Sequence, residues 1–425
     1  MNPPRRPRDL AFGTGLALAA MTGLSFTLNH TAVPVVLDVP LGSLVSATVA
    51  AIALLTGVLQ DSRRPTGVTR VRFGLGTAAL LGVLIVAGLS AQERLLSYRS
   101  EEAWFSNNGV DLAGTLYMPR SRGPHPAVVF VHGSGPETRK EYAFFARLFA
   151  RNNFAGLAYD KRGVGQSMGR LYESDYGDYA EDALAAVQYL RRSDDIDTGC
   201  IGLIGFSEGE WVAPLAASLS DAISFLIVIA PSGVSPAAQV NEEIAIRLRA
   251  RGYSTADVAS ALALNERIFE YQRTGQAPDG LAEDLREASG KPWFRDAQDL
   301  PEELYPPDAY RWWRSVMDFQ PGPIWEEVKI PVLLLKGGKD PNSTAEHAKR
   351  EIEAALKSGG NYSVEFVLFP EGDHSLLRWP LGERVPPPVF ASGYLQTMIR
   401  WAGEQQCARR GAAQRYAAHG ASRRT

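Results

Sequence analysis

Charge of one sign, cysteine and histidine are all scarce in this 425-residue chain. Lys and Arg number 44 against 47 Asp and Glu, a formal charge of only -3. No basic surplus exists to hold a polyanion, so no nucleic-acid partner is expected. The two cysteines, Cys200 and Cys407, are too few and too far apart for a disulfide framework or a metal motif. Cys200 opens an apolar run and is expected to pack as a small hydrophobe, whereas Cys407 falls in a polar tail. No cluster of His, Cys and Asp marks a metal site, and no cofactor is expected. What is plentiful is apolar: 45% of residues, enough for a sizeable core. The length exceeds one average domain, although a single α/β domain with an insertion would use most of it.

Charge is also missing locally. Three runs near the N-terminus, 10–30, 39–60 and 73–92, carry none, and each approaches the roughly 20 residues that a helix needs to cross a bilayer. Transmembrane helices are therefore expected over about 10–29, 41–60 and 73–91. Arg5, Arg6 and Arg8 precede the first, and Arg63, Arg64, Arg70 and Arg72 fill the connection between the second and third. Basic loops favour the cytoplasmic side. The expected protein is thus multi-pass in the cell membrane, with the lipid bilayer as a partner and the chain after Gln92 extracytoplasmic. A cleaved signal peptide would account for the first run but not for the next two.

Beyond this region apolar runs alternate with helical patterns. Residues 94–118 read as two strands joined by a turn at Asn107-Asn-Gly109. Compact apolar runs follow at 126–131, 155–160, 201–206, 225–230, 330–336 and 362–369, with amphipathic stretches such as 178–192 between them. That rhythm predicts an α/β fold with a mainly parallel, doubly wound sheet. Active groups should then sit just beyond the C-terminal ends of strands. Residues 237–327 break the rhythm with helical stretches and aromatics, including Trp293, Phe294, Trp312, Trp313 and Trp325. They read as a helical cap, whose rings supply either a hydrophobic substrate pocket or the cap's own core. For each single ring the core is the preferred reading.

The chemistry centres on Gly205-Phe-Ser-Glu-Gly209, which ends an apolar strand and opens a helix. This Gly-x-Ser-x-Gly pattern places a serine on a cramped turn, and a helix N-terminus lies behind it where an oxyanion would form. A serine hydroxyl needs a base and an orienting acid. Of the six histidines only His374, in Asp373-His374-Ser375, follows the last apolar strand. Asp340 leaves the preceding strand and fits the acid; Asp373 is too near the ring in sequence, and Glu346 belongs to the next helix. The expected triad is Ser207, Asp340 and His374. The expected oxyanion donors are the Glu208 and Ser134 N–H groups, with Gly133 as the alternative to Ser134. His132 is read as fixing its loop rather than as a base.

Together, His132-Gly-Ser-Gly135, Tyr159-Asp-Lys-Arg-Gly-Val-Gly-Gln-Ser167, Gly205-Phe-Ser-Glu-Gly209, Gly337-Gly-Lys-Asp340 and Gly372-Asp-His374 resemble the α/β-hydrolase superfamily, within its bacterial esterase and serine-peptidase-like group. The piece from Asp160 to Ser167 is similar to a structural loop of that superfamily, which implies a role in backbone architecture. Relatives often carry a second glycine where this chain has Glu210. The resemblance covers an α/β-hydrolase core over 93–236 plus 328–405, interrupted by the cap insertion over 237–327; the membrane region over 1–92 lies outside the common fold, and the patternless tail over 406–425 is expected to be disordered. The resemblance implies a serine hydrolase cleaving a small acyl ester through an acyl-enzyme. Short-peptide cleavage of an aminopeptidase-like kind, thioesterase or lipase activity, and a membrane-anchored binding protein are the alternatives. For the peptide alternative, Glu208, Glu210, Glu242 and Glu243 are acids with which a substrate amine could pair, while surface solvation is the preferred reading of all four.

Overall fold

A computed structural model describes residues 97–379 and 388–405. The chain divides into two compact units, residues 1–99 with 379–389 and residues 100–378 with 390–425. Apart from the first two residues of β1, all that follows lies in the second.

An eight-stranded sheet has the order β1-β2-β4-β3-β5-β6-β7-β8. Its strands are β1 (Tyr98–Asn107), β2 (Val110–Pro119), β3 (His125–Val131), β4 (Ala155–Tyr159), β5 (Ile196–Phe206), β6 (Phe225–Ile229), β7 (Val332–Gly337) and β8 (Val364–Phe369). From β4 to β8 every pairing is parallel, and β2 joins β4 antiparallel. Asn108 and Gly109 both have positive φ, which is the geometry of a two-residue hairpin turn between β1 and β2.

Side chains along the parallel strands alternate between two covered faces. Val129, Leu203, Leu226 and Leu334 enter one core with α2 (Tyr176–Leu190), α3 (Gly209–Ser218) and α10 (Ala345–Ser358). The neighbouring positions turn the other way: Phe130 meets Phe149 of α1 (Arg139–Arg151), and Phe225 meets Trp401 of α11 (Tyr394–Glu404). Strand ends line up, with Val131 opposite Gly205, Gly205 opposite Val228, and Gly337 opposite Phe369.

Between β6 and β7 the chain makes α4 (Pro236–Ala250), α5 (Thr255–Thr274), α6 (Leu281–Ser289), α7 (Pro292–Ala297), α8 (Arg311–Val316) and α9 (Pro321–Glu327). Ile244, Leu248, Leu264, Ile268, Trp293 and Phe294 form a separate core there. Trp325, by contrast, is buried in the core of the sheet. These rings pack the interior.

The expected triple membrane crossing is overturned. Among the described residues no helix is long and apolar enough to cross a membrane. The 20-residue α5 has the length, but Asp257, Glu266, Arg267, Glu270 and Arg273 lie along it, and charge at those depths forbids insertion. The runs at 10–29, 41–60 and 73–91, and the tail at 406–425, lie outside the described residues. The multi-pass architecture, the bilayer as partner and the extracytoplasmic placement are withdrawn. Cys200 is buried in β5, as expected of a small hydrophobe, but it is also disulfide-bonded, which the sequence reading did not expect.

Candidate active site

Ser207 stands on the turn between β5 and α3 with φ +49°, a conformation costly for a residue with a side chain. The glycines around it permit the close approach. A Cβ on Gly205 would collide with the Gly209 carbonyl, and one on Gly209 would lie 3.0 Å from the Val131 carbonyl and 3.2 Å from that of His132. The elbow is thereby pressed against the end of β3, beside the loop that begins at His132.

His374 Nε2 lies 2.9 Å from Ser207 Oγ, and its Nδ1 lies 3.0 Å from each Asp340 oxygen. The residues come from the ends of β5, β7 and β8, and hydrogen bonds between the last two loops hold them in step. Gly338 N–H donates to Phe369 O at 2.8 Å and Lys339 N–H to Gly372 O at 2.9 Å. Asp373 turns its carboxylate to the Ser375 and Leu377 N–H groups, both at 2.9 Å. Glu346 lies in the first turn of α10.

Asp340 is fully buried whereas the His374 side chain keeps 29% of its exposure. Asp340 also accepts from Asn342 N–H at 3.0 Å and from Lys336 Nζ at 2.7 Å. Burial opposes its charge. The hydrogen bond and charge of His374, and after them Lys336, outweigh that and hold its carboxyl below the usual range. Lys336 is itself completely buried and donates to Pro231 O at 2.8 Å and Ser343 Oγ at 2.7 Å. The sequence carried a signal for it, a lysine inside the apolar run Val332-Leu-Leu-Leu-Lys336.

Of the expected oxyanion donors, Gly133 gives its N–H to Glu137 Oε2 at 2.6 Å and to Tyr142 Oη at 2.8 Å. The Ser134 and Glu208 N–H groups have no acceptor among the hydrogen bonds of the described residues. His132 is buried and donates from Nε2 to Tyr159 O at 2.6 Å. Burial and then the Lys161 charge lower its pKa to about 3, so it stays neutral. Glu208 is buried against Lys161 Nζ at 2.5 Å; burial raises its pKa, opposed by Lys161. Glu210 is buried as well and takes Ser232 N–H at 2.6 Å, Ser232 Oγ–H at 2.6 Å and Gly233 N–H at 2.9 Å. Among the described residues no group of His, Cys, Asp and Glu is placed to hold a metal ion.

Among curated proteins, the chain is 24% identical over 307 residues to Esterase EstD of Thermotoga maritima, covering 70% of this chain and 65% of that relative. It is 33% identical over 106 residues to the quorum-quenching protein AidA of Acinetobacter baumannii, 25% of this chain and 35% of that one. The match thus spans less than two thirds of either relative. Solved structures that are similar include 2,6-dihydroxy-pseudo-oxynicotine hydrolase, with 16% identity, a TM-score of 0.45 and coverage of 95% of this chain and 90% of that one. Another is Est1E of Butyrivibrio proteoclasticus with ferulic acid bound, with 18% identity, a TM-score of 0.43 and coverage of 71% and 96%. The sequence profile of the alpha/beta hydrolase family matches residues 128–391, more than half of the chain. With that match, and with a mainly parallel sheet bearing the elbow at the end of β5, the chain belongs to the alpha/beta hydrolase family.

Proposed function

We propose that this protein is a serine hydrolase that cleaves carboxylic esters through a covalent acyl-enzyme. The observation that carries it is the unbroken series from Ser207 Oγ through His374 to Asp340, at 2.9 Å and 3.0 Å, beside two N–H groups without an acceptor. His374 Nε2 takes the Ser207 proton as Oγ bonds to the ester carbonyl carbon, and the carbonyl oxygen receives the displaced electron pair. The Ser134 and Glu208 N–H groups are the donors for that oxyanion. Its collapse breaks the bond to the alcohol, which leaves with the proton held on Nε2. Water then attacks the acyl-enzyme, gives its proton to Nε2, and releases the acid as Ser207 regains a proton. Asp340, kept ionised, fixes the ring and favours the imidazolium without itself being protonated.

The peptide alternative needs a free acid for the substrate amine, and the four glutamates suited to it are engaged. Glu208 holds Lys161, Glu210 holds Ser232 and Gly233, and Glu243 pairs with Arg247. Glu242 accepts from Thr344 N–H and lies 2.6 Å from His347 Nδ1. The test is turnover of short and long aryl esters, an aminoacyl amide and a thioester by the purified protein and its Ser207→Ala variant. Ester turnover by the parent should fall by more than about ten-thousandfold in the variant. Amide cleavage by a parent that turns over no ester would overturn the substrate class.

A further inference from the structure

The Asp160–Ser167 loop looks like pure architecture, and most of it is. Asp160 takes the Arg139 and Gln166 N–H groups at 2.9 Å each, and Arg162 forms a two-pronged pair with Asp182 at 2.9 and 2.6 Å. Lys161, between them, does something else. Its side chain is 3% exposed, and its ammonium reaches past its own loop to the two segments that carry the oxyanion donors. It donates to Gly133 O at 2.8 Å and to Glu208 Oε1 at 2.5 Å, with the Tyr179 ring 4.7 Å away on a further side.

The Gly133 carbonyl and the Ser134 N–H belong to one peptide unit. That unit is trans, the one cis bond among the described residues being Gly123–Pro124. In a trans unit the C=O and N–H point in opposite directions. A cation that fixes the Gly133 oxygen therefore fixes the Ser134 N–H, directed away from Lys161. The far side of Gly133 is pinned too, through its N–H to Glu137, while Lys161 N–H donates to Glu137 O at 3.1 Å. Glu208 is held through its carboxylate, and its own N–H is the other donor.

We propose that Lys161 is the positioning residue of the oxyanion site: by gripping the Gly133 carbonyl and the Glu208 carboxylate at once, it aims the Ser134 and Glu208 N–H groups at one point beside Ser207 Oγ. This rests on the serine-hydrolase reading above. The Glu208 charge neutralises the ammonium, so Lys161 acts through direction rather than through its field. Directed donors formed before the reaction need no reorganisation when charge develops, which is why their loss falls on turnover rather than on binding.

The experiment compares the parent with Lys161→Met on an aryl benzoate and on its thiono counterpart, in which sulfur replaces the carbonyl oxygen. Sulfur is the weaker acceptor, so correctly aimed donors favour the oxo substrate. Lys161→Met should lower kcat on the oxoester by about a hundredfold, with KM within about threefold, and should lower thionoester turnover much less. The oxo-to-thiono ratio then collapses. An equal loss on both substrates, or an unchanged ratio, overturns the proposal and leaves Lys161 a packing residue. If the single variant does not fold because Glu208 is left buried and unpaired, Lys161→Met with Glu208→Gln removes both charges and gives the same comparison. Covalent labelling of Ser207 by a p-nitrophenyl phosphonate and its thiophosphonate, read by mass, needs no ester turnover. A parent that is labelled but cleaves no ester sinks the ester reading alone, while the labelling ratio still decides on Lys161. A parent that is not labelled ends both.

Discussion

Glu208 and Glu210 flank Gly209 and are both buried, yet they are satisfied in opposite ways. Glu208 has a cation, Lys161, whereas Glu210 has three neutral donors on Ser232 and Gly233. On the Glu210 side the buried cation is Lys336, and its carboxylate partner is Asp340, the proposed acid of the triad. The proposed oxyanion side thus holds a charge pair, Lys161 with Glu208, to which the proposed chemistry gives no proton-transfer role. On the other side the Asp340 carboxylate is shared between the Lys336 ammonium and the His374 imidazole. Stability and catalysis are separable on the first side and entangled on the second.

Four measurements on three substitutions would break or sharpen that contrast. The largest effect is expected from Asp340→Asn, which keeps the shape but forces the wrong ring tautomer on His374; kcat should fall about ten-thousandfold. Steady-state kinetics on the best ester would measure it, and a loss below tenfold would remove Asp340 from the triad. Next, Lys336→Met leaves Asp340 buried with one partner fewer. Breaking a buried pair costs about 3 to 5 kcal/mol, to be read by urea unfolding. An unfolding midpoint equal to the parent's would mean that Lys336 adds nothing to the stability of the Asp340 bed.

Third comes the Asp340 carboxyl itself. It is held below its ordinary value, so its contribution to stability is present above the ordinary range and is lost as pH falls through the lowered value. Melting of the parent should therefore show a loss at acid pH that Asp340→Asn lacks. The smallest effect belongs to Glu210. Burial pushes its pKa up to about 7, opposed by its hydrogen bonds to Gly233 and Ser232. A raised carboxyl keeps its proton in the folded chain after the unfolded chain has released it. The folded state thus loses stability as pH rises from the ordinary carboxyl range through about 7, by about 3 kcal/mol at most. Glu210→Gln can accept both N–H groups through its oxygen and donate to Ser232 Oγ, so its stability should be flatter between pH 5 and pH 8. Equal slopes for parent and variant in thermal melts would discard this account.

Much of this was legible in the sequence because it is local. Apolar runs named the parallel strands, and the Ser207, Asp340 and His374 positions followed from where those runs stop. The turn at Asn108-Gly109 was visible in its residue types. What pairs across the fold was not: Lys161 meets Glu208 47 positions away, and nothing in either segment announces the other. Lys336 was visible only as a charge in an apolar run. For each single cap ring the core was the preferred reading, and packing puts Trp293, Phe294 and Trp325 inside. The membrane reading rested on charge-free length in runs that lie outside the described residues, and among the described residues no helix is long and apolar enough to cross a membrane.

The cap departs from the sheet after Pro231, whose carbonyl is gripped by the same ammonium that holds Asp340. Its root is therefore not an independent hinge. If an oversized guest pivots the cap, strain passes directly into the bed of Asp340, and bulk should be felt as slower turnover as well as poorer fit.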